Sequence, residues 1–229
     1  MSTLADRLGE VSTRIEKAAS LANRSAEDVT LIVVTKTHPA DLVVELLGLG
    51  VTNFGENKDQ EASAKAKLVA ELASQHNPIW HFVGQLQSNK VKSVLGYAEV
   101  LHSLDRQSLL DELNKQLLRV EHKRLQVFIE LNLTDDPKRG GIDPNHLLNF
   151  AEKVLEVENL QLLGVMGVAS LGGSAEADFE RIATASQQLQ KLAPEARFIS
   201  AGMSADFEQA IQYGATHIRV GTAITGKRE

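Results

Sequence analysis

Eight short strand-like segments alternate with longer amphipathic segments along this 229-residue chain, and this alternation limits its fold more than any other feature. Apolar and β-branched residues fill the short segments, whereas the longer ones repeat apolar residues at the spacing of an amphipathic helix. Strands joined through helices pair in parallel through right-handed crossovers. The predicted strands are 31–35, 52–54, 80–83, 100–103, 127–132, 162–167, 197–201 and 216–221.

Two architectures satisfy this order, a doubly wound open sheet and a closed (β/α)8 barrel. Eight repeats favour the barrel, and barrels of this class run to about 250 residues as one domain. The open sheet loses support because TKTHPAD follows the first strand, where a dinucleotide-binding fold has G-x-G-x-x-G. We therefore predict an α/β protein, a single (β/α)8 TIM-type barrel domain over residues 1–229, with an extra N-terminal helix at about residues 3–22.

Composition and charge exclude several classes of function. The chain has no cysteine, which excludes disulfides, zinc–thiolate sites, iron–sulfur clusters and cysteine nucleophiles. Its N-terminus carries charges throughout, and no window approaches the roughly 18 uncharged apolar residues of a membrane span. A net charge of −6 argues against non-specific nucleic-acid binding, which needs clustered positive charge. We expect a cytoplasmic protein with no membrane or nucleic-acid partner.

The loops after the last two predicted strands suit a phosphate group. Barrels often hold phosphate there with backbone N–H groups and a helix N-terminus. The segment SAGMS places Ser200 and Ser204 before a helix. GTAITG supplies Gly221, where the backbone can approach an oxyanion, and Thr222, whose hydroxyl can donate. A phosphorylated ligand is one interpretation, and ordinary turns and N-caps are the other.

Two cationic side chains are predicted to face this region. Arg219 alternates with apolar residues along the last strand, so it points into the barrel, where a buried charge needs a partner. A structural ion pair with Glu130 is one alternative role for it. Lys36 ends the first strand at the barrel mouth, where desolvation and a nearby Arg219 would favour the neutral, nucleophilic amine. Phosphate binding combined with an imine-forming lysine suggests pyridoxal 5′-phosphate, although a lone lysine at a strand end often only reaches solvent.

The remaining candidate residues do not form a known catalytic or metal motif. His81 and His102 lie on separate predicted strands without a third ligand, so we predict polar residues at the barrel mouth and no metal site. The sequence contains no G-x-S-x-G elbow, Walker A loop or H-E-x-x-H motif.

Several longer motifs occur together and in order along the chain. They are VVTKTHP, FGENKDQE, WHFVGQLQSNK, LHSLDR, ELNLTDDPKRGGI, GVMGVA and SAGMSADFEQAIQYGATHIRVGTAITGKR. In this order and spacing the chain resembles the pyridoxal phosphate homeostasis protein family from Leu31 to Arg228. The resemblance implies a single (β/α)8 barrel, similar to the N-terminal domain of alanine racemase, that binds pyridoxal 5′-phosphate.

The resemblance also implies roles for individual residues. Lys36 would form the Schiff base with the cofactor, Asn57 and His81 would line it, and Arg219 would face its pyridine nitrogen. The residues implied to hold the phosphate are Ser200, Met203, Ser204, Gly221 and Thr222. Some members carry a lysine two residues after the Schiff-base lysine.

This chain departs from those members, because His38 stands at that position. Any cofactor-transfer role assigned to such a lysine is therefore not carried over. Arg139, in the PKRGG segment, is a basic residue that could take up the role.

The implied function is cofactor homeostasis and not catalytic turnover. An arginine at the pyridine nitrogen disfavours its protonation, so the ring is a poorer electron sink than one paired with a carboxylate, and transamination is not expected. Racemisation needs a second acid or base on the opposite face, which alanine racemases take from a tyrosine of a second domain and a partner subunit, whereas Tyr97 and Tyr213 fall in helical stretches here.

We expect a monomeric carrier that keeps vitamin B6 vitamers, amino acids and keto acids in balance, with apo-enzymes as partners. One alternative is a racemase or lyase of small amino acids. The other is a phosphate-binding barrel of sugar or nucleotide metabolism in which Lys36 is an aldolase-type lysine.

Overall fold

The computed structural model describes residues 2–120, 123–134, 139–170 and 173–226. Eight parallel strands pair in chain order and close into a barrel in which β1 is hydrogen-bonded to β8. The strands are β1 (Thr30–Val34), β2 (Asn53–Glu56), β3 (Ile79–Phe82), β4 (Val100–Leu104), β5 (Leu125–Glu130), β6 (Leu160–Met166), β7 (Phe198–Ser200) and β8 (His217–Val220). The predicted (β/α)8 barrel is confirmed.

Helices surround the barrel. They are α1 (Leu4–Leu21), α2 (Ala40–Gly48), α3 (Asp59–Leu72), α4 (Val91–Val94), α5 (Gln107–Leu117), α6 (Leu147–Leu155), α7 (Ala175–Leu192), α8 (Phe207–Gln212) and α9 (Thr222–Thr225), with 3-10 turns at Ala26–Asp28, Ser88–Lys90 and Pro144–His146. The sequence did not predict α4 and α9, because four residues are too few to show a helical period. None of the helices in the described ranges combines the length and apolar character needed to cross a bilayer.

The extra N-terminal helix is present as α1. It begins with a capping box in which the Asp6 N–H donates to the Thr3 hydroxyl at 3.1 Å and the Thr3 N–H donates to the Asp6 carboxylate at 2.8 Å. Arg14 in its middle forms a 2.6 Å ion pair with Glu208 of α8, and α1 also packs beside α9. Helix α1 therefore supports the two short helices that follow the last two strands.

Apolar side chains fill the space under the helices and part of the barrel interior. Phe54 and Phe82 point outward into the strand–helix layer, whereas Phe128 and Met166 belong to a cluster inside the barrel. Gly164 in β6 has a φ of 155°, and a Cβ there would lie 1.8 Å from the backbone oxygen of the next strand, so this position requires glycine. Because the interior is filled, a ligand site is restricted to the carboxyl ends of the strands.

Candidate functional site

The carboxyl end of β1 lies between the ends of β2 and β8. Val34 of β1 is in register with Gly55 of β2, and Val33 is in register with Val220 of β8. Lys36, two residues beyond β1, therefore has the residues that follow β2 on one side and those that follow β8 on the other. It is exposed, in contrast to the desolvated lysine expected from the sequence.

A buried ion pair holds the backbone immediately before Lys36. Lys65 Nζ lies 2.6 Å from Glu56 Oε1 and donates to the Thr35 carbonyl oxygen at 2.8 Å. The Thr35 hydroxyl donates to the same Glu56 oxygen at 2.7 Å. Burial raises the pKa of Glu56, and its contacts with Lys65 and Thr35 act in the opposite direction. The pair thus joins β1, β2 and α3 directly beneath Lys36.

The backbone immediately after Lys36 is also held from α3. Thr37 has a φ of 70°, a left-handed conformation that is rare for a β-branched residue and costs on the order of 1–3 kcal/mol. Its backbone N–H donates to the Glu61 carboxylate, which also accepts from Lys65 Nζ at 3.0 Å. The strained turn that carries Lys36 is therefore fixed on both sides by one connected set of charged side chains.

Ser204 joins the loops that follow β7 and β8. Its hydroxyl oxygen accepts from the backbone N–H of Gly221 at 3.2 Å and from that of Ala223 at 3.4 Å. Thr222 is exposed and begins α9, and the first residues of a helix leave N–H groups without intrahelical partners. The structure thus brings Ser204, Gly221 and Thr222 together, as the predicted phosphate site requires.

Two neighbours of Ser204 shape the loop after β7. Gly202 has a φ of 91°, and a Cβ there would lie 2.7 Å from the Ala210 Cβ, so the turn requires glycine. Met203 is exposed, and its backbone N–H donates to Asp206 Oδ1 at 2.6 Å. In this arrangement that N–H caps the loop, in contrast to the phosphate contact expected for Met203.

Ser200 and His81 lie deeper than expected, inside the barrel. The buried Ser200 hydroxyl contacts Arg219 Nη1 at 2.5 Å and His102 Nδ1 at 2.8 Å. The His81 ring nitrogens contact His102 Nε2 and Asn53 Oδ1, both at 2.9 Å. Ser200 therefore lies apart from the phosphate loops, and both histidines lie below the mouth, because these strand side chains point toward the barrel axis and not beyond the strand ends.

Arg219 is inside the barrel, as predicted, but it does not form the alternative ion pair with Glu130. Its guanidinium donates to the Ser200 hydroxyl and, at 3.0 Å, to the Gly167 carbonyl oxygen, and it forms no salt bridge with a carboxylate in the part of the chain that the structure describes. Burial lowers the pKa of Arg219 to about 10, and the charge of Glu130 opposes this change. Arg219 is thus a buried cation at neutral pH, held by neutral acceptors.

Asn57 supplies an unsatisfied acceptor near Lys36. It follows β2, and its Oδ1 is buried with no hydrogen-bond partner among the described residues. Buried polar atoms without partners are rare in proteins. An exposed primary amine, an unsatisfied amide oxygen and a loop with hydroxyl and N–H donors match the aldehyde, ring substituents and phosphate of pyridoxal 5′-phosphate. The residues present therefore fit that cofactor.

Arg139 lies beside a small cavity at the end of β5. The cavity has a volume of about 60 Å³ and is lined by Glu130, Asn132 and Arg139, among others. Burial raises the pKa of Glu130 to about 7, while the charges of Arg219 and Arg139 act to lower it. Residues 135–138, which include the start of the PKRGG segment, lie outside the described residues. A transfer role for Arg139 stays a prediction.

Comparisons with known proteins cover nearly the whole chain. The family described as alanine racemase, N-terminal domain, matches residues 8–229. The pyridoxal phosphate homeostasis protein of Mycobacterium bovis is 36% identical, over 99% of this chain and 93% of that protein. The protein of the same name from Vibrio alginolyticus is 33% identical, over 100% and 99%. The structure of PipY from Synechococcus elongatus with pyridoxal phosphate bound matches with a TM-score of 0.82 at 33% identity, over 98% of this chain and 100% of PipY.

Proposed function

Because this chain belongs to the pyridoxal phosphate homeostasis protein family, within the wider family of alanine racemase N-terminal domains, we propose that it binds pyridoxal 5′-phosphate at the mouth of its barrel. It holds the cofactor on Lys36 as a Schiff base and releases it to apo-enzymes. In this way it keeps vitamin B6 vitamers, and the amino and keto acids that depend on them, in balance.

The position of Lys36 carries this proposal. Lys36 is exposed and follows β1, which pairs on one side with β2, followed by Asn57 with its unsatisfied buried amide oxygen, and on the other with β8, followed by the loop in which Ser204 and Gly221 meet. This order of strand ends supports a site in which one small molecule contacts a lysine, a hydrogen-bonding side chain and an anion-binding loop together.

Each group in the site has a separate task toward the cofactor. Pyridoxal 5′-phosphate supplies an aldehyde that reacts reversibly with a primary amine. Lys36 provides that amine on a turn fixed by α3. The Ser204 and Thr222 hydroxyls donate to the phosphate, Gly221 lets the backbone approach it, and the Arg219 cation disfavours protonation of the pyridine nitrogen.

The phosphate loop gives a direct test of the site. Replacing Ser204 or Thr222 by alanine removes a charge-assisted hydrogen bond, which is worth about 1.5–3 kcal/mol. Each substitution is expected to raise the Kd for pyridoxal 5′-phosphate roughly 10- to 150-fold, as measured by equilibrium titration of the visible absorption.

Ser25→Ala is a matched control for that titration. Ser25 also caps a turn through its hydroxyl, but it precedes β1 at the opposite end of the barrel. Its replacement is expected to leave the Kd unchanged. Wild-type affinity in the Ser204→Ala, Thr222→Ala double variant would place the phosphate elsewhere, and a wild-type protein without saturable binding would contradict the proposed function.

The surroundings of the site support a carrier without turnover. The arginine at the proposed pyridine position makes the ring a poor electron sink, which argues against transamination. The two tyrosines, Tyr97 and Tyr213, pack against the core between strands and helices. The Tyr97 hydroxyl is buried and burial raises the pKa of Tyr97, whereas a racemase needs an acid or base that reaches the face opposite Lys36. A racemase or lyase of small amino acids is the second candidate, favoured by the alanine racemase family match.

Deuterium exchange separates these two candidates. The loaded protein is incubated with small amino acids in deuterated water, and exchange at Cα is followed by NMR. A carrier is expected to show no exchange above that caused by the cofactor alone, because exchange at Cα needs an acid or base positioned opposite Lys36. Repeated exchange per protein molecule, lost in Lys36→Ala, would support the enzyme.

The remaining features of the proposal concern the context of the chain. We propose that it acts in the cytoplasm as a monomer, with the barrel as a single domain over residues 1–229. Arg139, at the rim of the cavity near Glu130, is proposed to assist transfer of the cofactor.

A further inference from the structure

A line of hydrogen bonds crosses the barrel interior from Arg219. It runs from Arg219 Nη1 through Ser200 Oγ, then through the His102 and His81 rings, to Asn53 Oδ1. The four distances along it are 2.5, 2.8, 2.9 and 2.9 Å. The three middle residues are at most 2% exposed, so each contact is made away from solvent. We call these five residues the interior line.

Arg219 sets the direction in which hydrogen bonds are donated along the interior line. A guanidinium only donates, so the Ser200 oxygen must accept from Arg219. The Ser200 proton is then directed to His102 Nδ1, which must accept. A neutral imidazole carries one proton, so His102 has its proton on Nε2 and donates to His81 Nδ1.

The asparagine end is consistent with the same direction. Asn53 Nδ2 donates to the Thr52 hydroxyl oxygen at 3.0 Å, which turns Oδ1 toward His81. An amide oxygen only accepts, so the His81 proton lies on Nε2 and its Nδ1 accepts. The two ends therefore agree, and no pair of donors or pair of acceptors meets along the line.

Both histidines must be neutral for this order to hold. Burial lowers the pKa of His81 to about 3, and the charge of His217 adds to the change. Burial also lowers the pKa of His102 well below its usual value, helped by His81 and Arg219. At neutral pH each ring therefore carries one proton, and a second proton on either ring would break the line.

We infer that the interior line positions Arg219 and allows it to remain a full cation with no ion-paired carboxylate among the described residues, with His102 as the central positioning residue. A hydroxyl whose own proton is donated onward is a stronger acceptor, so the link from Ser200 to His102 strengthens the hold of Ser200 on the guanidinium. A carboxylate in place of Ser200 would hold Arg219 as well but would offset its charge. The role of the Arg219 charge toward the pyridine nitrogen of the cofactor rests on the proposed function. The order of donors and acceptors along the interior line does not depend on it.

The tautomers of the two histidines give the first test. In cofactor-free, 15N-labelled protein near neutral pH, both His81 and His102 are expected to show the pattern of a neutral ring with its proton on Nε2. A proton on Nδ1, or a charged ring, at either residue would overturn the inference. This measurement uses the wild-type chain, so it does not depend on whether a variant folds.

Hydrogen exchange at Arg219 gives the second test. His102→Phe removes the acceptor for Ser200, and Ser200→Ala removes the partner of the arginine with a smaller change. Both are expected to speed exchange of the Arg219 guanidinium N–H groups at least about tenfold in the cofactor-free protein. His102→Asn retains an acceptor near the Nδ1 position and is expected to restore much of the protection.

His217→Phe is the matched control. His217 is another histidine, partly buried, with its ring 5.1 Å from that of Phe128 and 6.4 Å from that of His102, but its hydrogen bond goes to Thr216 and not to a residue of the line. It is expected to leave Arg219 exchange unchanged. Equal rates of Arg219 N–H exchange in His102→Phe, Ser200→Ala and His217→Phe would contradict the positioning role of His102. Expected tautomers in a protein that fails to bind the cofactor would support the interior line and contradict only the proposed function.

Discussion

Replacing Lys36 by alanine is expected to abolish covalent attachment of pyridoxal 5′-phosphate. Its side chain is an exposed primary amine at the end of β1, beside the loop that joins Ser204 to Gly221. Without an amine the aldehyde of the cofactor has no partner there. The visible band of the wild-type complex should disappear, and borohydride reduction followed by mass spectrometry should find no adduct.

The phosphate loop is intact in Lys36→Ala, so weaker, non-covalent binding should persist. Lys58→Ala is the control, because Lys58 is an exposed lysine near the end of β2. That variant is expected to keep the wild-type band and a single reduced adduct on Lys36. An unchanged band in Lys36→Ala, or an adduct on another lysine in the wild type, would contradict Lys36 as the attachment point.

The barrel could be predicted because the sequence pattern of each strand lies within its own segment. The apolar residues of each segment, such as 31–35, are enough to predict a strand there. The presence of eight such segments then favours a closed barrel. The strand ends found in the structure differ from the predicted ones by at most two residues, as comparison with segment 127–132 and β5 (Leu125–Glu130) shows. Patterns within one segment were sufficient for this part of the fold.

The depth of a side chain in the barrel could not be predicted in the same way. Ser200 and Ser204 stand in one motif, SAGMS, yet one hydroxyl lies inside the barrel beside Arg219 and the other joins two loops. The difference depends on where β7 ends and on its stagger against β6 and β8, which the sequence of one strand does not show.

Contacts between distant segments were missed for a related reason. His102 and Ser200 are 98 residues apart, and neither lies in a local sequence pattern that predicts their hydrogen bond. The burial of Lys65 is weakly indicated by the sequence, because Lys65 lies on the apolar face of α3 with Ala62 and Val69. A lysine at such a position needs a buried partner, but the sequence does not say that the partner is Glu56.

Replacing Lys65 by methionine is expected to lower the stability of the protein sharply. Glu56 is fully buried, and the change leaves its carboxylate without the ammonium 2.6 Å away. Removing one partner of a buried ion pair costs about 3–5 kcal/mol. For a chain of this size that corresponds to a fall in Tm of roughly 6–20 °C, measured by thermal unfolding followed by circular dichroism.

The pH dependence of that loss identifies its cause. Burial raises the pKa of Glu56 and Lys65 counteracts it, so Glu56 should protonate more readily in the variant. A buried acid with a raised pKa is destabilising once ionised, and the penalty is lost as the pH falls from that pKa toward the pKa of the same group in the unfolded chain. The gap in Tm between wild type and Lys65→Met should therefore narrow at mildly acidic pH.

Two further variants complete this test. Glu56→Gln in the Lys65→Met background removes the buried charge and should recover part of the stability at neutral pH. Lys67→Met, at an exposed position of the same helix, should change the Tm little. Lys65 also donates to the Thr35 carbonyl oxygen beside Lys36. Both Lys65→Met and the double variant should therefore attach the cofactor more slowly than Lys67→Met does, even though the double variant recovers stability. A double variant with wild-type attachment would show that the ion pair stabilises the fold without positioning Lys36.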